Sequence, residues 1–267
     1  MCTHAPSRAL VLAVHGSALP GAAHTVARLV DSVHSRCGVR PVVGHLDHQG
    51  PHLAETLADR PGAVVVPLLL GSGYHGTVDI PAIVAGTDAV LTPTLSGAPE
   101  IAHALLDRLH TAEAAQAGTR RSAARAHQGA AAHADTDTGA DADADAILLA
   151  AAGSSRPGGN GGAEQAARDL RGLLGRERGP IDLAVGYHSG SAPSVPDALA
   201  SLRARGHRRV LVAAHLLAPG RFTAALDRLV TEGAAWALTR PLADHPLVAD
   251  LVSARYTQAT ALTPQPV

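Results

Sequence analysis

The sequence predicts an α/β protein of two lobes, each with a mainly parallel four-stranded sheet, arising from an internal duplication. Three observations lead there. Short Val/Leu runs alternate with helical stretches along both flanks of the chain, the order expected of repeated βαβ units. These runs are apolar on both faces, as strands of a buried parallel sheet are. The flanks also match segment by segment: VLAVHGS (11–17) answers LLAAAGS (148–154), GHLDHQGPHLAETLA (44–58) answers GYHSGSAPSVPDALA (186–200), and GYHGT (73–77) answers GRFT (220–223). Such self-similarity governs how the rest is read.

In the first flank, strands are predicted near 8–14, 40–46, 63–70 and 88–92, with helices near 21–36, 51–60, 78–85 and 98–111. Gly16 supplies a tight turn after the first strand, Pro51 precedes the second helix, and Asp79-Ile80-Pro81 reads as the start of the third, with proline in the first turn. In the second flank, strands fall near 146–152, 181–187, 208–216 and 234–238, and helices near 161–175, 193–205, 219–231 and 245–260. Between them, residues 113–145 contain no Leu, Ile, Val, Met or aromatic residue and run into ADADADA (140–146). That composition cannot bury a core and predicts a solvated, disordered linker. The expected organisation is a first lobe over 1–112, this linker over 113–145, and a second lobe over 146–267.

Composition removes several function classes. Net charge is −1 and no long basic run occurs, which argues against nucleic acid as a partner. All 22 basic residues are arginine, so Schiff-base lysine chemistry and a Walker A loop are excluded. Cys2 and Cys37 give neither a disulfide framework nor a cysteine metal motif. The N-terminus lacks a charged region followed by a long apolar one, and no apolar run approaches the roughly 20 residues of a membrane helix. A soluble cytoplasmic protein is expected. Aromatics are 2% of the chain, so Leu, Val, Ile and Ala must fill the core.

Three residues stand where an apolar run gives way to a loop: His15 after ALVLAV, Asp47 after PVVGHL, and His75 within LLLGSGYHGTVDIP. Strand ends of an open parallel sheet share one edge, where ligands bind. Two imidazoles and a carboxylate there make a divalent-metal site with positions left open. Each has a plainer reading. His15 is a metal ligand or proton acceptor, or an imidazole that closes a strand against a carbonyl. His75 lies among Gly71, Gly73 and Gly76, which free the loop for a large ligand; otherwise it is an exposed loop histidine. Asp47, flanked by His45 and His48, completes a metal site or takes a proton, or else caps the helix after Pro51. The repeat adds a comparison: His15 faces Ala152, Asp47 faces Ser189 and His75 faces Phe222. The scaffold is present twice and the polar groups once. His215, inside an apolar run, reads as a core histidine with its hydrogen bonds satisfied.

HGS after the first strand, a carboxylate after the second and PLLLGSGYHGTVDIP after the third resemble the small class II tetrapyrrole chelatases. Among these the sequence is most similar to the sirohydrochlorin cobalto-/ferrochelatase family in its two-lobed form. AAAGSS, VLVAAHLLAPGRF and LADHPLVADLVSARY resemble the degenerate second lobe of such members. The resemblance implies two flavodoxin-like lobes with the macrocycle in the cleft between them. It implies His15 and His75 as catalytic, metal-binding histidines and Asp47 as the third metal ligand, where the family usually carries glutamate. It implies a lyase-class chelatase placing Fe²⁺ into sirohydrochlorin, or Co²⁺ on the way to cobalamin, with the ion as substrate and no tightly bound cofactor. Ala18 stands where an arginine often follows HGS, which moves substrate contact to Arg156 or Arg221.

The macrocycle's carboxylates suit arginine forks and backbone N–H groups. The expected substrate-binding residues are Ser17, Gly73, Tyr74, Ser154, Arg156, Arg221 and Phe222, with Tyr74 and Phe222 at the cleft edges as ring contacts. Both lobes lie in one chain, so a monomer is expected. Two other classes compete: a metal carrier or sensor that takes no macrocycle, and a lobe binding a phosphorylated ligand. The latter lacks a Gly-rich phosphate fingerprint after the first strand.

Overall fold

The computed structural model describes residues 8–17, 19–47, 50–127 and 143–262. The first repeat runs β1 (Leu10–Val14), α1 (Pro20–Cys37), β2 (Val42–His45), α2 (Leu53–Ala58), β3 (Val64–Pro67), a π-helical turn (His75–Asp79) leading into α3 (Ile80–Ala85), β4 (Val90–Leu91) and α4 (Pro99–His127). The second runs β5 (Ala146–Ala151), α5 (Gly161–Arg178), β6 (Asp182–Tyr187), α6 (Val195–Ala204), β7 (Val210–His215), α7 (Arg221–Thr231), β8 (Ala237–Leu238) and α8 (Pro246–Leu262). The strands form two four-stranded parallel sheets of the same order, β2-β1-β3-β4 and β6-β5-β7-β8. This is the duplicated α/β architecture read from the sequence. No helix among the described residues is long and apolar enough to cross a membrane.

Alternation along each strand sends its side chains to two cores. On the inner faces, Leu10, Leu12, Val64, Val66, Ile147, Leu149, Leu211 and Ala213 share one continuous core, completed by helix residues such as Leu29, Leu105, Leu170 and Val252. On the outer faces each sheet has its own layer: Val11, Ala13 and Val65 against Leu53 and Ile80, and Leu148, Ala150 and Val212 against Leu199 and Leu226.

The inner layer shows that the repeats are not self-contained. Helix α4 follows β4 in the chain but packs on α5, β7 and β8 of the second sheet, while α8 packs on α1 and β3 of the first. Each repeat lends its last helix to the other. Asp244, between β8 and α8, pins the exchange. Its nearly buried carboxylate accepts from Arg28 on α1, Arg108 on α4 and, at 2.7 Å, Arg240. Arg36 on α1 pairs with Asp250 on α8. Tyr256 on α8 donates its hydroxyl to the Arg8 carbonyl at 2.7 Å.

The linker expected over 113–145 is corrected at both ends. Helix α4 continues to His127, through an alanine-rich stretch of high helix propensity, with Arg120 lying 5.7 Å over the Trp236 ring. Glu113 is buried, accepting from Arg178 at 2.7 Å and from the Ala144 N–H at 3.1 Å. Asp145 accepts the N–H groups of Arg208 (2.9 Å) and Arg209 (3.0 Å). Burial works against the Asp145 charge, but these donors outweigh it and hold its carboxyl below the usual range. Residues 128–142 lie outside the described residues.

His215 also departs from expectation. It is 3% exposed, yet its Nε2 has no hydrogen-bond partner. Burial lowers its pKa from 6.5 to about 4. Leu68, on β3's continuation, holds the matching position in the first sheet, so the strand end does not itself require histidine.

This packing makes two predictions. Asp244→Asn removes the shared counter-charge from Arg28 and Arg108, and should lower unfolding free energy by about 3 kcal/mol in urea melts. For His215, the unfolded chain binds a proton that the folded chain refuses between its folded value of about 4 and the ordinary 6.5. Stability from this residue is therefore complete above pH 6.5 and falls as pH drops toward 4, by roughly 3 kcal/mol. In His215→Leu that part of the pH dependence should vanish, as measured by urea melts at pH 7 and 4.5.

Candidate metal centre at the inter-lobe cleft

The site begins with the turn after β1. Gly16 has φ +94, and a Cβ there would lie 2.1 Å from the Asp47 carbonyl oxygen, so only glycine fits. The close approach extends the β1–β2 pairing by two hydrogen bonds, Leu46 N–H to Val14 O and Asp47 N–H to His15 O, both 2.9 Å. His15 and Asp47 are thereby brought side by side, with His15 Nδ1 3.6 Å from Asp47 Oδ2.

His75 arrives from the end of β3 on the π-helical turn. Its ring centroid lies 4.7 Å from that of His15, inclined at 50°. One ligand atom from each of His15, Asp47 and His75 lies within 4.8 Å of the other two. His15 and Asp47 are half-exposed, and His75 is about one-third exposed. Three donors of this kind can hold a divalent ion while leaving coordination positions free. The capping alternative for Asp47 is not realised: α2 is capped by His52, whose N–H donates to Glu55 at 2.9 Å. His45 Nδ1 sits 3.3 Å from the Pro51 carbonyl, and His48, like Ala18, lies outside the described residues.

The second lobe repeats the scaffold without the donors. Gly153 has φ +85, and a Cβ there would lie 1.9 Å from the Ser189 carbonyl oxygen. His188 N–H donates to Ala151 O at 2.9 Å and Ser189 N–H to Ala152 O at 3.0 Å. Ala152, Ser189 and Phe222 occupy the positions of His15, Asp47 and His75. Phe222 stacks on His188 at 4.6 Å and 11°, with the Arg221 guanidinium 4.8 Å from its centroid. Burial lowers the His188 pKa and the Arg221 charge adds to the shift, so this wall stays uncharged at the imidazole.

Between the walls lies a cleft of about 1620 Å³, lined by His15, His75, Tyr74, Ser154, Arg221 and Phe222 among others. The loops cross-pair over it. Ser17 Oγ donates to the Pro219 carbonyl at 3.4 Å, joining the loop after β1 to the loop after β7. Arg156 lies 5.5 Å over the exposed Tyr74 ring, joining the loop after β5 to the loop after β3. Ser154 Oγ accepts the Arg156 N–H at 3.2 Å and faces Gly73, where a Cβ would lie 3.7 Å away. Of the seven residues expected to contact substrate, Ser17, Gly73, Tyr74, Ser154, Arg221 and Phe222 line the cleft, while Arg156 is placed by its contact with Tyr74 and is not among the lining residues.

Sequence reasoning missed Asp79. It reads as a helix start, but its Oδ2 lies 2.6 Å from His75 Nδ1. The spacing of His75 and Asp79, four apart in a helical stretch, was the available signal. His188 was likewise passed over, because its stacking depends on α7 rather than on its own strand.

No curated protein matches the chain. Among solved structures it is similar to SirB from Bacillus subtilis with Fe3+, at 17% identity over 96% of both chains and a TM-score of 0.68. A structure of the sirohydrochlorin chelatase SirB from Bacillus subtilis subspecies spizizenii in complex with cobalt matches at 16% identity, again over 96% of both chains, with a TM-score of 0.68. A third similar structure is CbiX, described as the terminal enzyme for biosynthesis of siroheme in denitrifying bacteria. It matches at 16% identity over 94% of this chain and 99% of its own, with a TM-score of 0.61. At these identities the three matches show the fold. The CbiX family model matches residues 9–112 and again 146–259, one match for each repeat, and the chain belongs to the CbiX family.

Proposed function

We propose that the chain is a sirohydrochlorin chelatase that inserts Fe²⁺ into sirohydrochlorin to give sirohaem, with His15, Asp47 and His75 holding the incoming ion. The observation that carries this is the trio itself, with ligand atoms within 4.8 Å of one another, His15 and His75 lining a cleft of about 1620 Å³. Insertion requires the ion to shed water and the macrocycle to lose two pyrrole protons. A site with three protein donors and open positions binds the ion without saturating it, so transfer to four pyrrole nitrogens can proceed stepwise. As the ion leaves, the ring nitrogens it frees on His15 and His75, the catalytic pair in this reading, can receive the released protons. Ser17, Gly73, Tyr74, Ser154, Arg156, Arg221 and Phe222 bind the macrocycle. Arg156 and Arg221 meet its carboxylates, and Tyr74 and Phe222 contact the ring. One chain supplies both walls, so the working unit is a monomer acting in the cytoplasm.

Cobalt insertion is the second reading, favoured by the imidazole–carboxylate donor set, which accepts either ion, and by the cobalt complex of the similar SirB structure. Anaerobic insertion assays with Fe²⁺, Co²⁺ and Ni²⁺ decide the metal. An ion carrier would bind Co²⁺ yet leave the absorption spectrum of sirohydrochlorin unchanged, which would overturn the chelatase reading. His15→Ala and His75→Ala should each slow insertion more than about a hundredfold, beyond the usual cost of losing a ligand's hydrogen-bond partner, at unchanged thermal stability. Asp47→Ala should be milder, about tenfold, because a shorter carboxylate can act through water. Parental rates in both histidine variants would refute the site.

A further inference from the structure

Building on the reading of His15, Asp47 and His75 as the ion site, we infer that Asp79 is the positioning residue that locks His75 for metal binding. Its Oδ2 lies 2.6 Å from His75 Nδ1, and both side chains are only about one-third exposed. An imidazole offers two nitrogens, and whichever donates its N–H to a fixed acceptor leaves the other's lone pair for the ion. With Nδ1–H given to Asp79, His75 presents Nε2. The same bond fixes the ring plane beside His15, 4.7 Å away between centroids. Asp79 is not among the three residues whose ligand atoms converge, so it acts through His75.

The backbone supports this assignment independently. His75–Asp79 is a π-helical turn, closed by the Ile80 N–H donating to the His75 carbonyl. The second lobe has the regular helix α7 at this place. Ile80 and Leu226 are both fully buried, each in the outer core of its own sheet. Yet one residue more separates Gly73 from Ile80 than separates Gly220 from Leu226. The π turn is that extra residue. It shifts the helical phase of the residues before it by about 100° relative to the core-facing ones after it. His75 therefore lines the cleft with Asp79 against it, while Ile80 keeps its core position. In the lobe without donors, Phe222 replaces His75, and no carboxylate occupies either candidate counterpart of Asp79, Ala225 or Leu226. The extra residue and the His–Asp pair occur together in one lobe and are both missing from the other.

The test measures Co²⁺ binding to the full chain without macrocycle, by titration and by the visible ligand-field spectrum, beside sirohydrochlorin affinity and thermal midpoint. Asp79→Ala should weaken Co²⁺ binding about 10- to 100-fold and change the ligand-field bands, with sirohydrochlorin affinity and midpoint unchanged. Asp79→Asn, which keeps an oxygen acceptor for Nδ1–H, should recover most of the affinity. Wild-type Co²⁺ affinity and bands in Asp79→Ala would overturn the inference. Equal losses in both variants accompanied by a lowered midpoint would also overturn it, because they mark a structural role. His75→Ala separates the two levels. If it weakens Co²⁺ binding while Asp79→Ala does not, the ion site stands and the positioning role falls. If His75→Ala binds Co²⁺ normally, both fall together.

Discussion

One shared core holds this molecule together. The inner face of each sheet is mostly apolar, and neither repeat covers its own completely, α1 and α5 each packing on their own sheet and leaving the rest open. The covering helices come crosswise, α4 onto the second sheet and α8 onto the first. Apolar burial supplies the driving force without direction, and the Asp244 cluster supplies the register. One carboxylate facing Arg28, Arg108 and Arg240 fits only when α1, α4 and the chain entering α8 meet at the correct height. Separating the lobes would expose the core and strand these arginines together. The cleft walls are therefore set by packing well below the cleft, and the loops that cross-pair above it need contribute little to holding them apart.

Much of this was legible in the residues. The strands could be read because LVLAV, VVVP, AILLAA and VLVAAH are apolar on both faces, and burial on both faces is what the structure shows. The trio could be read because strand ends of a parallel sheet share an edge, and the structure brings His15, Asp47 and His75 together there. The helix exchange could not be read. A helix's apolar stripe says that it packs, not on which of two similar sheets. Composition is silent on the stretch after Ala112 for a related reason: apolar residues are scarce there, yet Glu113 forms a buried pair with Arg178, and alanine's high helix propensity favours continuing α4. The extra residue in the π turn was present in the repeat comparison, but it emerges only once Ile80 and Leu226 are known to be equivalent in burial.

The unpartnered Nε2 of His215 belongs to the same asymmetry. Where the first sheet has Leu68, the second carries a polar ring among apolar neighbours, at a cost that a folded protein of ordinary marginal stability notices. The two lobes have kept their sheet order and glycine turns while their polar groups have separated. Donors gather on one wall, and on the other lie neutral imidazoles, a stacked Phe222 and arginines.

The cross-pairing of the loops gives the cleft an approximate half-turn symmetry, since the loop after β1 meets the loop after β7 as the loop after β5 meets the loop after β3. A flat guest lying across such an axis could settle in two orientations related by that half-turn. With identical walls both would be productive, and an ion waiting on each side would contend for the same ring. Because Ala152, Ser189 and Phe222 stand opposite His15, Asp47 and His75, the two orientations are no longer equivalent. Under the proposed function, a given edge of the guest would meet donors in only one of them, and the ion would approach from one side alone. Divergence of the second repeat thus turns a container without handedness into one with a front and a back.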